Sequence, residues 1–181
     1  SESYSVSMTP VGDVEFDAVP ETAAVYESGY ADMLVALGHG DAIASVGQNA
    51  RFHTDHYDEL DGVGVDTADV VDLVGTGVTR ETFLDLDADV HLMDPNWLTN
   101  VFEMDDDDVS FIEERRAPFL GNTIFRRTDA WHDYDYYTMY GAFEKVAEAF
   151  QATERYEALK SFHDDYVDRI GAAVPDEGPR A

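Results

Sequence analysis

Two adjacent arginines, Arg126 and Arg127, follow a short strand-like run at residues 123–125 (TIF), in a chain with only 11 basic residues. Guanidinium groups suit carboxylate, catecholate or phosphate oxygens, which they grip through paired hydrogen bonds. The same pair could instead neutralise Asp129 and Asp133. Arg51, after the apolar run at 42–46, offers a further cation. Trp97, after Asp94, Pro95 and Asn96, and Trp131 supply faces that could stack on a planar chelate or ring; Tyr26 and Tyr134 are weaker versions of the same feature. Each could also simply seal the core. His53, Thr54, Asp55 and His56, with Asp58 nearby, hold the components of a metal site, because two histidines three apart can share a helical face. No third ligand is fixed by the spacing, so no metal is expected, and His53 is read as a ligand contact. His132 in WHDY has the same open status. No nucleophile elbow, P-loop or GxGxxG occurs, so no catalytic residue and no cofactor are expected.

The elements that must position these side chains alternate between strand and helix. Residues 22–26 (TAAVY) read as a strand opening on Glu27, Ser28 and Gly29, and ADMLVALG reads as a buried helix closed by Gly38. Residues 42–46 (AIASV) form a second strand ended by Gly47, followed by the polar, His-rich QNARFHTDHYDEL. Thr79 can cap a short helix, RETFLDL, with Glu81 in its first turn. Residues 89–93 (DVHLM) form a third strand broken by Asp94 and Pro95, and 97–102 read as helix. Asp105 to Asp108 supply the negative start of another helix, with Val109 and Ile112 facing inward. Residues 123–125 are read as a fourth strand. Such alternation implies an α/β fold: a Rossmann-like lobe with a short parallel sheet of about four strands flanked by helices. In such sheets a ligand sits outside the carboxyl ends of the strands, which singles out Tyr26, Arg51, Trp97, Arg126 and Arg127.

The last fifty residues differ in kind. Met139, Phe143, Ala147 and Phe150 form one helical stripe; Tyr156, Leu159, Phe162, Tyr166 and Ile170 form another. The second helix, from about Glu154 to Ala173, would be roughly 30 Å long at 1.5 Å per residue. Pro175, Gly178 and Pro179 stop it.

Composition limits what the molecule can be. The 181 residues include ten Phe, ten Tyr and two Trp, enough for a core, and 39 acids against 11 bases give a net charge of −28. Disordered acidic chains are poor in aromatics, so the acidity belongs to a folded surface. Only Lys145 and Lys160 are lysines. In dilute buffer such a surface repels itself; at molar salt the Debye length falls to roughly 3 Å and the repulsion is screened. The pattern suits a protein bathed in concentrated salt. Nucleic acid is excluded as a partner, since no basic stripe exists to neutralise phosphates. There is no cysteine, hence no disulfide or thiolate site. No apolar run approaches the roughly 20 residues of a membrane span.

The order of these pieces resembles the substrate-binding proteins that serve ferric-siderophore, haem and cobalamin ABC importers, the class III periplasmic-binding-protein type. Three stretches carry the likeness: VYESGYADMLVALGHGDAIASVG, ETFLDLDADVHLMDP and the pair of C-terminal helices. In the second, Ala88 replaces the family's proline, while Leu86 and Asp89 stay in place. APFLGNTIFRR and WHDYDYYTMYGAFEKVAEAFQ are similar to haloarchaeal members. The resemblance implies a ligand held between two α/β lobes. Here it implies an N-terminal ligand-binding lobe at 1–152, an interdomain spine helix at 153–174, and at 175–181 the start of a linker to a second lobe.

It implies capture of an iron–siderophore-like chelate for an ABC permease and its ATPase subunits, with Glu81 docking on the permease. Cobalamin, haem or direct metal binding are the alternatives, with a chelatase-like metal enzyme on a similar lobe, or an interaction protein using its acidic surface, from other classes. The location implied is extracellular, on the cell surface through a lipid-anchored full-length form, although no signal peptide is visible at Ser1. The spine's uncovered stripe makes self-association a further expectation.

Overall fold

The computed structural model describes residues 3–124 and 130–174; Arg126 and Arg127 lie outside the described residues. The chain opens with an antiparallel hairpin, β1 (Tyr4–Met8) and β2 (Gly12–Phe16), in which Val6 faces Val14 and Tyr4 faces Phe16. Strict alternation explains it: Val6, Met8, Val14 and Phe16 are buried while Ser5, Ser7, Asp13 and Glu15 point outward. The Tyr4 and Phe16 rings stack at 5.4 Å, and the Tyr4 hydroxyl donates to the Ala149 carbonyl, tying the hairpin to the helical layer beneath.

The central sheet is wholly parallel. It contains β3 (Ala23–Val25), β4 (Ile43–Val46), β5 (Val71–Asp72) and β6 (Val90–Leu92) in the order β5-β4-β3-β6. The helices are α1 (Ser28–Leu37), α2 (Leu73–Thr76), α3 (Arg80–Leu86), α4 (Pro95–Val101), α5 (Asp106–Arg115), α6 (Met139–Ala149) and α7 (Thr153–Ala173). The expected parallel α/β lobe is thus present, with a long C-terminal helix. Its fourth strand is not the one expected. Thr123 and Ile124 are buried but adopt no strand, and among the described residues the sheet continues beyond β6 only as a single parallel bridge between His91 and Phe119. At Thr123 a side-chain hydrogen bond, donated to Asp94 at 3.1 Å, stands where a ladder bond would be. The two-residue β5 stands at the other edge instead.

β3 sends alternate side chains to two separate cores. Ala23 and Val25 pack with α1, α6 and the hairpin, whereas Ala24 packs with Leu73, Phe83, Trp97, Ile112 and Phe119. Helices on both faces are what a sheet buried on both sides demands. Local signals end the helices where expected. Gly38, at φ +87°, closes α1 by donating to the Val35 carbonyl while His39 donates to that of Leu34, a pairing that needs a left-handed residue at this position. Thr79 caps α3, and Asp105 and Asp108 form a reciprocal capping box on α5.

α7 leans on the lobe only through its first turns. Tyr156 is buried against Phe143 and Leu159 is half-buried, whereas Phe162, Tyr166, Val167 and Ile170 are exposed. No helix among the described residues is long and apolar enough to cross a membrane.

Candidate functional site

The chain passes from β3 through α1 to β4 on one side, while β6 lies on the other side of β3. Strand order therefore reverses between β3 and β6, which leaves a crevice at their carboxyl ends. A cleft of about 420 Å³ opens there, lined by Tyr26, Glu27, Ser28 and Gly29 after β3, by Gly47, Gln48 and Arg51 after β4, and by Asp32 and Trp97. Its size falls within the roughly 300–1,000 Å³ usual for small-molecule sites.

Two rings form its apolar wall. Trp97, the third residue of α4, is buried and meets Tyr26 at 4.5 Å and Phe102 at 5.3 Å between centroids. Tyr26 is half-buried and packs against the bare Cα of Gly47, whose N–H donates to the Tyr26 carbonyl at 2.7 Å. The first turn of α1 enters the cleft with Ser28 and Gly29, and neither Glu27 nor any first-turn acid caps it through a side chain. The N–H groups of such a turn have no intrahelical acceptor and carry partial positive charge.

Arg51 is exposed on the cleft rim, and its guanidinium forms no salt bridge among the described residues. Its backbone is nonetheless well held. Asn49 donates its N–H to Asp72 at 3.1 Å, Phe52 is buried in the core, and the buried Tyr57 donates its hydroxyl to Asp32 on α1. Burial and the Asp32 carboxylate push the Tyr57 phenol well above its usual range, so it remains a donor at neutral pH. The cleft thus combines ring faces, a guanidinium and a helix N-terminus with two carboxylates, Glu27 and Asp32.

The strand-end rule therefore brings three of the expected residues together: Tyr26, Arg51 and Trp97. His53 is exposed and is not among the cleft's lining residues, and the His56 ring meets that of Tyr57 at 4.0 Å in a tilted contact. Among the described residues no group of three or more His, Asp or Glu is arranged to hold a metal ion. Trp131 is half-buried against the second core and meets His132 at 4.4 Å, outside the cleft lining. Glu81 is exposed in the first turn of α3. Glu27, Ser28, Gly29 and Asp32 were not anticipated as lining residues, although their place straight after the first parallel strand could have marked them.

A model of the periplasmic binding protein family matches residues 24–181. The chain belongs to that family. No curated protein matches it in sequence. Among solved structures, it is similar to the siderophore-binding protein BauB, bound to a complex of two acinetobactin molecules and ferric iron. The identity is 18% and the TM-score 0.64, covering 99% of this chain and 57% of that one. It is similar to the iron-uptake ABC transporter substrate-binding protein PiuA from Streptococcus pneumoniae, at 18% identity and TM-score 0.64, covering 97% and 55%. It is also similar to the petrobactin-binding protein YclQ from Bacillus subtilis, at 14% identity and TM-score 0.61, covering 94% and 53%. At these identities the likeness is one of fold. This periplasmic binding protein chain spans little more than half the length of those neighbours, and its matched region runs from the second residue of β3 through the cleft and α7.

Proposed function

We propose that this chain belongs to the solute-binding component of an ABC importer and captures a ferric-siderophore-like chelate at the cleft of Tyr26, Arg51 and Trp97. One observation carries the reading: at the strand-order reversal, two aromatic faces converge with a guanidinium that has no salt-bridge partner among the described residues. Planar faces suit a ring-bearing chelator, and the guanidinium suits its oxygen donors. Family membership, and neighbours described as siderophore-binding or iron-uptake proteins, point the same way. In this reading the lobe at 1–152 forms one wall of the site, α7 is the spine toward a second wall, and the protein works outside the cytoplasmic membrane. Glu81, exposed at the head of α3, is the contact for a membrane permease and its ATPase subunits.

The test is a fluorescence titration of this chain, at high salt, with ferric acinetobactin, ferric staphyloferrin B and ferric petrobactin, each beside its iron-free form. Saturable quenching by a ferric chelate is expected. Arg51→Ala should weaken it by about tenfold or more, since a hydrogen bond to a charged group contributes roughly 1.5–3 kcal/mol. Binding that is unchanged in both Arg51→Ala and Tyr26→Ala would place the ligand elsewhere.

A further inference from the structure

Asp94 lies two residues beyond β6, at the start of α4, and is 2% exposed. One carboxylate oxygen accepts the N–H of Asn96 at 2.9 Å and so caps α4. The other accepts two hydroxyls, that of Thr123 at 3.1 Å and that of Tyr134 at 2.7 Å. Burial and this carboxylate drive the Tyr134 phenol far above its usual range, which keeps it a donor. Asparagine would cap α4 as well without the cost of burying a charge. What a carboxylate adds is acceptance from all three donors at once, because it has no hydrogen to turn away.

The helix so anchored carries Trp97 in its first turn. The Trp97 indole Nε1 is buried with no hydrogen-bond partner among the described residues, so the ring is not fixed by its own polar atom. Its pose depends on the contacts with Tyr26 and Phe102 and on where α4 begins.

We infer that Asp94, with Tyr134 and Thr123 as its hydroxyl donors, is a positioning residue that sets the pose of Trp97 in the cleft. It does so by joining the start of α4 to Thr123 and Tyr134. A neighbouring node makes that attachment firm. Buried Asn122 donates to the carbonyls of Thr9 and Asp135, accepts the Tyr137 N–H, and exchanges two hydrogen bonds with Tyr30. The inference rests on the proposed function only for its effect on affinity; the pose of Trp97 can be read without a ligand.

The experiment uses the full chain in a Trp131→Phe background, which leaves Trp97 as the sole tryptophan. Tyr134→Phe, Thr123→Val and Asp94→Asn are compared with Tyr4→Phe, which removes a hydroxyl bond at the hairpin, away from α4. Each of the first three should shift the Trp97 emission to longer wavelength and raise its quenching by acrylamide. Each should also weaken whichever ferric chelate the parent binds by about tenfold, the scale of one lost hydrogen bond. Tyr4→Phe should change neither readout. Should Asp94→Asn fail to fold, the two hydroxyl variants decide the matter. Parent-like emission and quenching in Tyr134→Phe and Thr123→Val, even with lowered melting temperatures, would overturn the inference. A parent chain that binds none of the chelates would count against the proposed function alone, since the emission test stands without ligand.

Discussion

The ring of Tyr26 rests on Gly47: a Cβ at position 47 would stand 2.7 Å from the Tyr26 carbonyl oxygen and 2.9 Å from two of its ring carbons. Backbone and ring are both too close for any side chain, so the absence of one at Gly47 lets the ends of β3 and β4 meet and holds the Tyr26 face in the cleft. Gly47→Ala is therefore expected to destabilise the fold by about 1–3 kcal/mol, the usual cost of overpacking. It should also weaken ligand binding, which denaturant titration and chelate titration would measure. An alanine variant with unchanged stability would show that Tyr26 moves aside at no cost.

His91 gives the fold an acid-sensitive point away from the cleft. Its ring is buried between Phe119, stacked at 4.7 Å, and Phe83, and Nδ1 donates to the Ala117 carbonyl at 3.0 Å. Burial lowers its pKa from the ordinary 6.5 to about 4. The unfolded chain therefore binds more protons between those values, so the contribution is complete above pH 6.5 and is lost as pH falls toward 4. The most it can cost is about 3 kcal/mol, at 1.36 kcal/mol per unit. Relief of repulsion among the carboxylates acts in the opposite direction at the acid end, so a difference measurement is needed. His91→Gln, which retains a donor but does not titrate, should lose less stability than the parent between pH 7 and pH 4. Parallel urea-unfolding profiles for the two would show that His91 contributes no pH dependence.

The legibility of each element in the sequence depends on what holds it in place. Where a local signal sufficed, the sequence was clear: Gly38 ends α1, Thr79 starts α3, Asp105 caps α5, and α7 runs over the expected residues. The strand-end rule needed only the strands' positions, and it placed Tyr26, Arg51 and Trp97 in one cleft. The hairpin was missed although Val6, Met8, Val14 and Phe16 carry its alternation on either side of Pro10 and Gly12. At two residues, β5 is too short to show any period. Residues 123–124 look like a strand because they are β-branched and buried, yet their partners are Asp94 and the segment around Tyr134, which no local pattern reveals. The cluster of His53, His56 and Asp58 shows the opposite limit, since proximity in sequence did not become a ligand set.

The net charge of −28 with only two lysines leads to a salt prediction. The described salt bridges are surface pairs such as Arg80–Asp108 and Lys145–Glu148, and pairs of this kind contribute roughly 0–1 kcal/mol each. They cannot offset repulsion spread over the whole surface. The melting temperature should rise steadily from dilute buffer to multimolar sodium or potassium chloride, as screening shortens the reach of that repulsion. A melting temperature that stays flat or falls with salt would remove the case for a halophilic protein.

The far half of α7 should govern association and leave folding alone. Phe162 is 73% exposed, and Tyr166, Val167, Ile170 and Val174 follow it on the face that Tyr156 and Leu159 begin. Because these side chains touch little of the lobe, replacing one costs the folded chain almost nothing: Phe162→Glu should alter stability by no more than about 0.5 kcal/mol, as at other surface positions. The apolar face it interrupts is unusual for an isolated helix end, and high salt both screens the neighbouring Asp164, Asp165 and Asp168 and leaves apolar attraction in force. At high salt and rising protein concentration the parent chain is expected to dimerise through this face, seen as a concentration-dependent mass by light scattering. Phe162→Glu and Ile170→Glu should each remain monomeric at concentrations where the parent pairs. A parent chain that stays monomeric throughout would show that the stripe is too small to hold two copies together, and association through α7 would have to be abandoned.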